Sequence, residues 1–411
     1  MTRRRSSRRR VEARPRRVVA SLTLAALAYS VMQMMVVPAL PAIQRDLDAS
    51  ADAVAWLISA FLLSTAISTP LLGRLGDRFG KGRMLIAALV IFTLGSLLGA
   101  LAPSLEALIV ARVLQGCGGA VFPLAYGLAR DTLPPERVAV AIGTVSGSFG
   151  IGGSAGLVLS GPLVDHVSWH AIFWVGIAMS VVAIPLVAAT LPLGGRRPPS
   201  PILDLRLLVL PAVWPANAIG VLAGFGMYAT GYLVPQLVQA DPAHGDVGFG
   251  AGVTATSLFL LPALLSGLAA GIWAGALTRR FGPRMPLMLG AIGMVAGYAL
   301  LAFAHDIRWP VYVGTLLAHG IGLNLLLAAM ANAVVAAVPA TRTGEAAGVN
   351  TMLRTVGGAL GGQVVAAVAL VGAGAAGLPT SRGFMLAFGL CAALLALAVV
   401  LAALIPAQRR L

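Results

Sequence analysis

The stretch GRLGDRFGKGR, residues 73–83, sets five charged side chains among four glycines, and it lies between two long apolar runs, 52–72 and 84–102. Charge at that density does not enter hydrocarbon. The stretch therefore reads as a short interfacial loop, and the runs on either side as segments immersed in lipid. Each flank has about the 20 apolar residues that a helix needs to cross a 30 Å hydrocarbon core.

The rest of the chain repeats that pattern. Apolar runs occupy 18–40, 52–72, 84–102, 105–128, 138–162, 170–193, 212–237, 250–276, 285–304, 309–338, 345–371 and 384–405. Of the 411 residues, 58% are hydrophobic and only 10% charged, whereas a soluble domain carries about 25% charged residues. The mean hydropathy is +0.91. No run alternates with a period of two, so the backbone must be satisfied inside helices rather than in a barrel. The expected fold is an all-α polytopic membrane protein with twelve transmembrane helices.

A net charge of +15 raises the question of nucleic acid, and the placement of the charge answers it. Arginines crowd the first 17 residues, and the even-numbered loops add Arg74, Arg78, Lys81, Arg83, Arg130, Arg137, Arg196, Arg197, Arg206, Arg279, Arg280, Arg284 and Arg342. The odd-numbered loops hold Arg45, Arg308 and Arg382. This is the positive-inside bias, which places both termini in the cytoplasm. The basic tail has no interleaved aromatics and reads as a topology anchor near anionic lipid, not as a nucleic-acid arm. The first run is too long for a signal-peptide core, and PAIQRDLD after it offers no small-residue cleavage site. A retained first helix is expected. Cys117 and Cys391 lie in different predicted helices and read as packing residues, implying neither a disulfide nor a metal set.

The chain also duplicates itself. GRLGDRFGKGR corresponds to GALTRRFGPR, with Gly73 falling on Gly275 at an offset of 202 residues. LPPERVAVAIG corresponds to VPATRTGEAAG, and GGSAG at 152–156 falls on GGALG at 357–361, an offset of 205 residues. The junction is LGGRRPPSPILDLRLL. The organisation is a basic tail (1–17), a six-helix bundle (18–193), a linker (194–211), a second six-helix bundle (212–405) and a short tail (406–411). Two parallel six-helix repeats are the plan of an alternating-access transporter.

These features resemble the major facilitator superfamily, and within it the drug/proton antiporter group. GRLGDRFGKGR resembles the superfamily's loop 2–3 signature. LIVARVLQGCGGA in helix 4 resembles the proton-antiporter signature, and GGSAGLVLSGPLVDHVSWHAIFW the antiporter motif of helices 5 and 6. LVPQLVQ and GVNTMLRTVGGALG resemble the fourteen-helix branch, whose two extra central helices are missing here. The register puts Met32 where that branch often has an acid, Leu157 where the antiporter motif has proline, and Ser160 where it has glycine.

The resemblance implies that Asp77 meets the N-terminus of helix 11, where unpaired N–H groups favour negative charge. It implies that Lys81, in the loop with Arg78, pairs with an acid ending helix 4, either Asp131 or Glu136. It also implies a cavity lined by helices 1, 4, 7 and 10. Their candidate residues are Tyr29, Met32 and Gln33 on helix 1, Gln115 on helix 4, Phe225, Tyr228 and Tyr232 on helix 7, and Asn324 on helix 10. Met and aromatic surfaces adapt to varied apolar ligands.

Arg112, Gln115, Gly116 and Gly119 share one face of helix 4. An arginine at that depth is expected to face a cavity or a partner, as a fixed positive charge that tunes a proton site or binds an anionic group. The competing reading is a side chain snorkelling to the outer surface. Arg354 in helix 11 is a second buried cation by position, and the favoured reading is a loop-side charge reaching the cytoplasm. No acid falls deep in a predicted helix. His319, in helix 10, is the histidine placed to exchange a proton, with a structural role as the alternative. Asn324 lies five residues on, on a different face of an α-helix.

No phosphate-binding loop, nucleophile–base set or metal spacing is present in the sequence, so neither an enzyme nor a cofactor is expected. The expected protein is a monomeric, proton-coupled exporter of a lipophilic small molecule in a bacterial cytoplasmic membrane, with membrane lipid and protons as its other partners. The alternatives are a proton-linked importer, a lipid flippase and a receptor that binds without transport.

Overall fold

Each apolar run is helical because its backbone N–H and C=O groups must pair within the segment. The loops supply the starts and stops. Ser50, Ser104 and Thr380 open their helices by accepting the amides of Ala53, Ala107 and Gly383, as short hydroxyl side chains do at an N-cap. Gly80 has φ of 106°, a backbone that glycine adopts without penalty, and it turns the chain sharply inside the 73–83 stretch.

The computed structural model describes residues 15–194, 210, 211, 213–242, 247–372 and 379–405. The first six helices are α1 (Pro15–Asp46), α2 (Ala51–Phe79), α3 (Lys81–Ala100), α4 (Leu105–Thr132), α5 (Pro135–His166) and α6 (Ala171–Thr190). The second six are α7 (Val213–Gln239), α8 (Val253–Phe281), α9 (Arg284–Phe303), α10 (Arg308–Ala337), α11 (Thr343–Ala369) and α12 (Ser381–Leu404). All twelve contain a stretch long and apolar enough to cross a membrane, so the chain is a multi-pass membrane protein. Among the described residues there is no strand. Helix α4 tightens to a 3-10 turn at Cys117–Ala120, and α10 widens to a π turn at Leu316–Gly322. Most of the basic tail and linker, and the last six residues, lie outside the described residues.

Small residues set the packing. In the first half, Gly152 and Gly156 of α5 lie against Ser30 and Val31 of α1, and Ser160 Oγ donates to the Met35 carbonyl at 2.6 Å. In the second half, Gly357 and Gly361 of α11 lie against Val221 and Phe225 of α7. Between the halves, Gly73 of α2 abuts Gly344 of α11, and Gly275 of α8 abuts Ala139 of α5. The repeat offsets carry Gly73 onto Gly275 and Ala139 onto Gly344, so these two crossings are images of one another. The sequence alone suggests one sliding seam for all the glycines of α5 and α11. The structure divides them. Those near the helix starts face the opposite half, and those further along bind their own half.

Candidate functional site

The end of the bundle that carries residues 73–83 is closed by contacts between the halves. Asp77 sits at the last turn of α2, and its Oδ2 accepts the amide of Glu345 in the first turn of α11 at 2.9 Å. That amide is one of the orphan donors of a helix start, so the carboxylate both satisfies it and meets the positive end of the helix dipole. Lys81 Nζ lies 3.4 Å from Asp77 and 2.8 Å from Asp131, and it donates to the Ala340 carbonyl at 3.0 Å. Of the two acids expected opposite Lys81, Asp131 makes the contact. Arg78 is exposed, its guanidinium 5.1 Å from the ring centroid of Phe79.

Sequence reasoning missed one tie at this end. Arg130 Nη1 lies 2.6 Å from the Val335 carbonyl, 2.7 Å from that of Val338 and 3.1 Å from Thr343 Oγ1. It therefore holds the last turn of α10, where unpaired carbonyls attract a cation. Its signal in the sequence was only that of one more basic loop residue.

Behind this closed end, at mid-bundle, the halves meet around a narrow recess. The first half contributes Tyr29 and Gln33 from α1, Thr65 from α2, Phe122 from α4 and Phe149 from α5. The second contributes Met227 and Tyr228 from α7 and Thr351, Arg354 and Thr355 from α11. Gln33 Nε2 donates to Tyr228 Oη at 3.0 Å, joining the halves across the recess. The hydroxyls of Tyr29 and Thr65 are 3.3 Å apart. The aromatic wall is continuous, with the Phe122 centroid 6.1 Å from Tyr29 and 5.4 Å from Phe149.

Three of the expected cavity residues, Tyr29, Gln33 and Tyr228, meet here; the others do not. Met32 is fully buried against Gly176 of α6. Phe225 abuts Gly361 through its main chain, and Tyr232 packs at the edge of the apolar core. Gln115 is engaged inside the first half.

Of the two surroundings expected for Arg112, a cavity or a partner, the structure gives it partners, and it does not snorkel. It is 1% exposed, donates to the Leu57 carbonyl at 3.1 Å and to Gln115 Oε1 at 2.8 Å, and stacks 4.0 Å from the Phe61 centroid. Gln115 passes the chain on to Ser96 at 2.9 Å. The network ties α2, α3 and α4 together within one half. Helical spacing showed that these residues share a face; it did not show which neighbour that face meets.

Arg354 is a correction. It does not reach the loop. It lies 7% exposed in the wall of the recess, its guanidinium 5.0 Å from the Phe149 centroid. The available signal was depth. Arg354 stands eleven residues into α11, about 16 Å along it at 1.5 Å per residue, which is beyond easy snorkelling.

His319 sits in the π turn of α10. Asn324 Nδ2 reaches back to the carbonyls of His319 at 3.1 Å and Gly320 at 2.9 Å. The two residues were expected on different faces; the wider turn brings one back onto the other's main chain. His319 Nδ1 and Asn324 Oδ1 are buried without a hydrogen-bond partner among the described residues. Neither lines the recess, and Asn324 faces Gly150 of α5 and Gly267 of α8.

Comparisons with known proteins agree with this architecture. The chain is 30% identical over 403 aligned residues to the tetracenomycin C resistance and export protein of Streptomyces glaucescens, covering 84% of this chain and 74% of that one. It is 26% identical to the multidrug efflux pump LfrA of Mycolicibacterium smegmatis, covering 84% and 78%. An uncharacterized MFS-type transporter of Mycobacterium tuberculosis is 29% identical over 301 residues; the match covers 72% of this chain but only 41% of that protein's length. The fold is shared with the human organic anion transporter TETRAN, at a TM-score of 0.73 and 18% identity, over 95% of this chain and 99% of that one. Residues 22–362 match the Major Facilitator Superfamily, and the chain belongs to it.

Proposed function

We propose that the protein exports lipophilic small molecules across a bacterial cytoplasmic membrane by alternating access, coupled to proton entry. One observation carries this reading: a recess built jointly by two repeated halves, behind an end that the halves close with helix-end contacts. The positive-inside bias makes the closed end cytoplasmic. Relatives named for export and efflux support the direction. His319, half-buried on a π turn with a buried, unpartnered ring nitrogen, is the group proposed to exchange the proton, since imidazole titrates near physiological pH.

The test is flux in proteoliposomes containing the full chain. Tetracenomycin C, named for the Streptomyces relative, serves as the probe. Probe movement driven by an imposed pH gradient supports coupled export, and His319→Gln should flatten its pH dependence. Movement indifferent to the gradient leaves facilitated diffusion. Binding with no movement leaves a receptor and overturns the proposal.

A further inference from the structure

Arg354 is the only charged residue among the described residues that line the recess. It is 7% exposed. Its contact is the Phe149 ring, 5.0 Å from the guanidinium carbon. Among the described residues it has no hydrogen-bond acceptor and no carboxylate partner. The contrast with Arg112 is direct, because that guanidinium is held by a carbonyl and an amide oxygen. A guanidinium offers five N–H donors in a fixed fork, and a buried charge left unpaired is strongly unfavourable.

The duplication explains how a ring came to lie beneath it. The 205-residue offset carries Phe149 onto Arg354, so the two are equivalent positions of α5 and α11. They meet across the recess, one as a ring and one as a cation, and the stacking holds the fork at the wall with its donors uncommitted. Around it stand the aromatic faces of Tyr29, Phe122 and Tyr228. The recess thus offers one cation, aromatic walls and no acid.

We propose that the ligand of this recess is a lipophilic aromatic anion whose oxyanion pairs with Arg354. This rests on reading the recess as the transport site. A fork meeting a carboxylate or sulfonate makes charge-assisted, bidentate hydrogen bonds. A cationic ligand would face an unmatched guanidinium.

The test uses two naphthalene probes of one shape and different charge, 2-naphthoate and its neutral amide, 2-naphthamide. Equilibrium binding to the purified full chain should favour 2-naphthoate by about tenfold or more. Arg354→Gln should bring 2-naphthoate down to the affinity of 2-naphthamide and leave the amide unchanged. Arg354→Lys should retain part of the preference, because it keeps the charge and loses the fork. The wild-type comparison needs no variant and so survives a variant that fails to fold. Wild-type protein that binds both probes alike, or neither, overturns the proposal. So does an Arg354→Gln variant that keeps the anion preference. Proteoliposome counterflow of the same probes separates this from the transport reading. Anion-selective binding without flux keeps the Arg354 site and removes transport; flux of both probes alike does the reverse.

Discussion

Two arginines buried in one bundle have opposite surroundings, and the difference is measurable. Arg112 has acceptors on two sides and a ring beneath it. Removing it strands Gln115 Oε1 and leaves the Leu57 carbonyl with only its helix bond, and an unsatisfied buried group costs about 1–3 kcal/mol. Arg112→Gln should therefore lower the melting temperature while leaving the affinity for recess ligands close to wild type. Arg354→Gln removes an unmatched charge, so its melting temperature should hold or rise. Calorimetric melting of both variants at matched detergent concentration reads the contrast. An Arg112→Gln variant that melts with the wild type but loses ligand would return Arg112 to the recess. Sequence reasoning reached the reverse ranking for a physical reason. Depth and periodicity place a side chain on a face, but the identity of the facing surface is set by helix packing that no local window contains.

At the scale of the helix, closure depends on backbones coming within reach at glycine. A Cβ on Gly73 would fall against the Gly344 carbonyl, and one on Gly344 against the Gly73 carbonyl. Glycine is required there because the crossing brings main chain onto main chain. Gly73→Val should hold the end of α2 and the start of α11 apart. Overpacking costs about 1–3 kcal/mol, a shift of about five- to 150-fold in the closed population. A spin-label pair at the exposed positions Arg78 and Thr341 should report a longer mean distance in the variant. An unchanged distance distribution would show that the crossing has slack. This crossing was legible in part, because the glycines of residues 73–83 and the small-residue spacing of helix 11 were both visible. Their pairing was not, since it joins residues far apart in the chain. The π turn of α10 was not legible at all: LLAHGIG has no residue pattern that distinguishes it from an ordinary α-turn, and the bonds from Asn324 back to the carbonyls of His319 and Gly320 were hidden with it.

At the scale of the whole molecule, duplication builds two similar crossings but only one anionic latch. The repeat carries Asp77 onto Arg279 and Glu345 onto Val140. Helix α11 begins at Thr343, so the amide of Glu345 lies in its first turn and is free to bind a carboxylate. Helix α5 begins at Pro135, so the amide of Val140 is already past the first turn and committed within the helix. An acid at position 279 would find no donor there, and an arginine at an interfacial helix end costs nothing. The twelve spans, the repeat and the latch loop could be read from sequence because they are local or periodic. This asymmetry depends on where each helix starts, which needs the structure. Lys81 on the Ala340 carbonyl is one tie across the closed end; two others share no partner with each other, Asp77 on the start of α11, and Arg130 on the end of α10 and Thr343. Neutralising a charge at a helix terminus costs about 0.3–2 kcal/mol, so Asp77→Asn should lower the closed population by about two- to thirtyfold. Arg130→Gln should shift it in the same direction, with its partly exposed guanidinium discounted for screening. Effects at sites with no shared partner add to within about 0.5 kcal/mol, so the double variant should multiply the two single shifts. The same label pair at Arg78 and Thr341 measures all four proteins at one protein concentration and salt. A double variant no more open than the stronger single would mean that the two contacts break as one unit, with Lys81, which touches both Asp77 and Asp131, as the link between them.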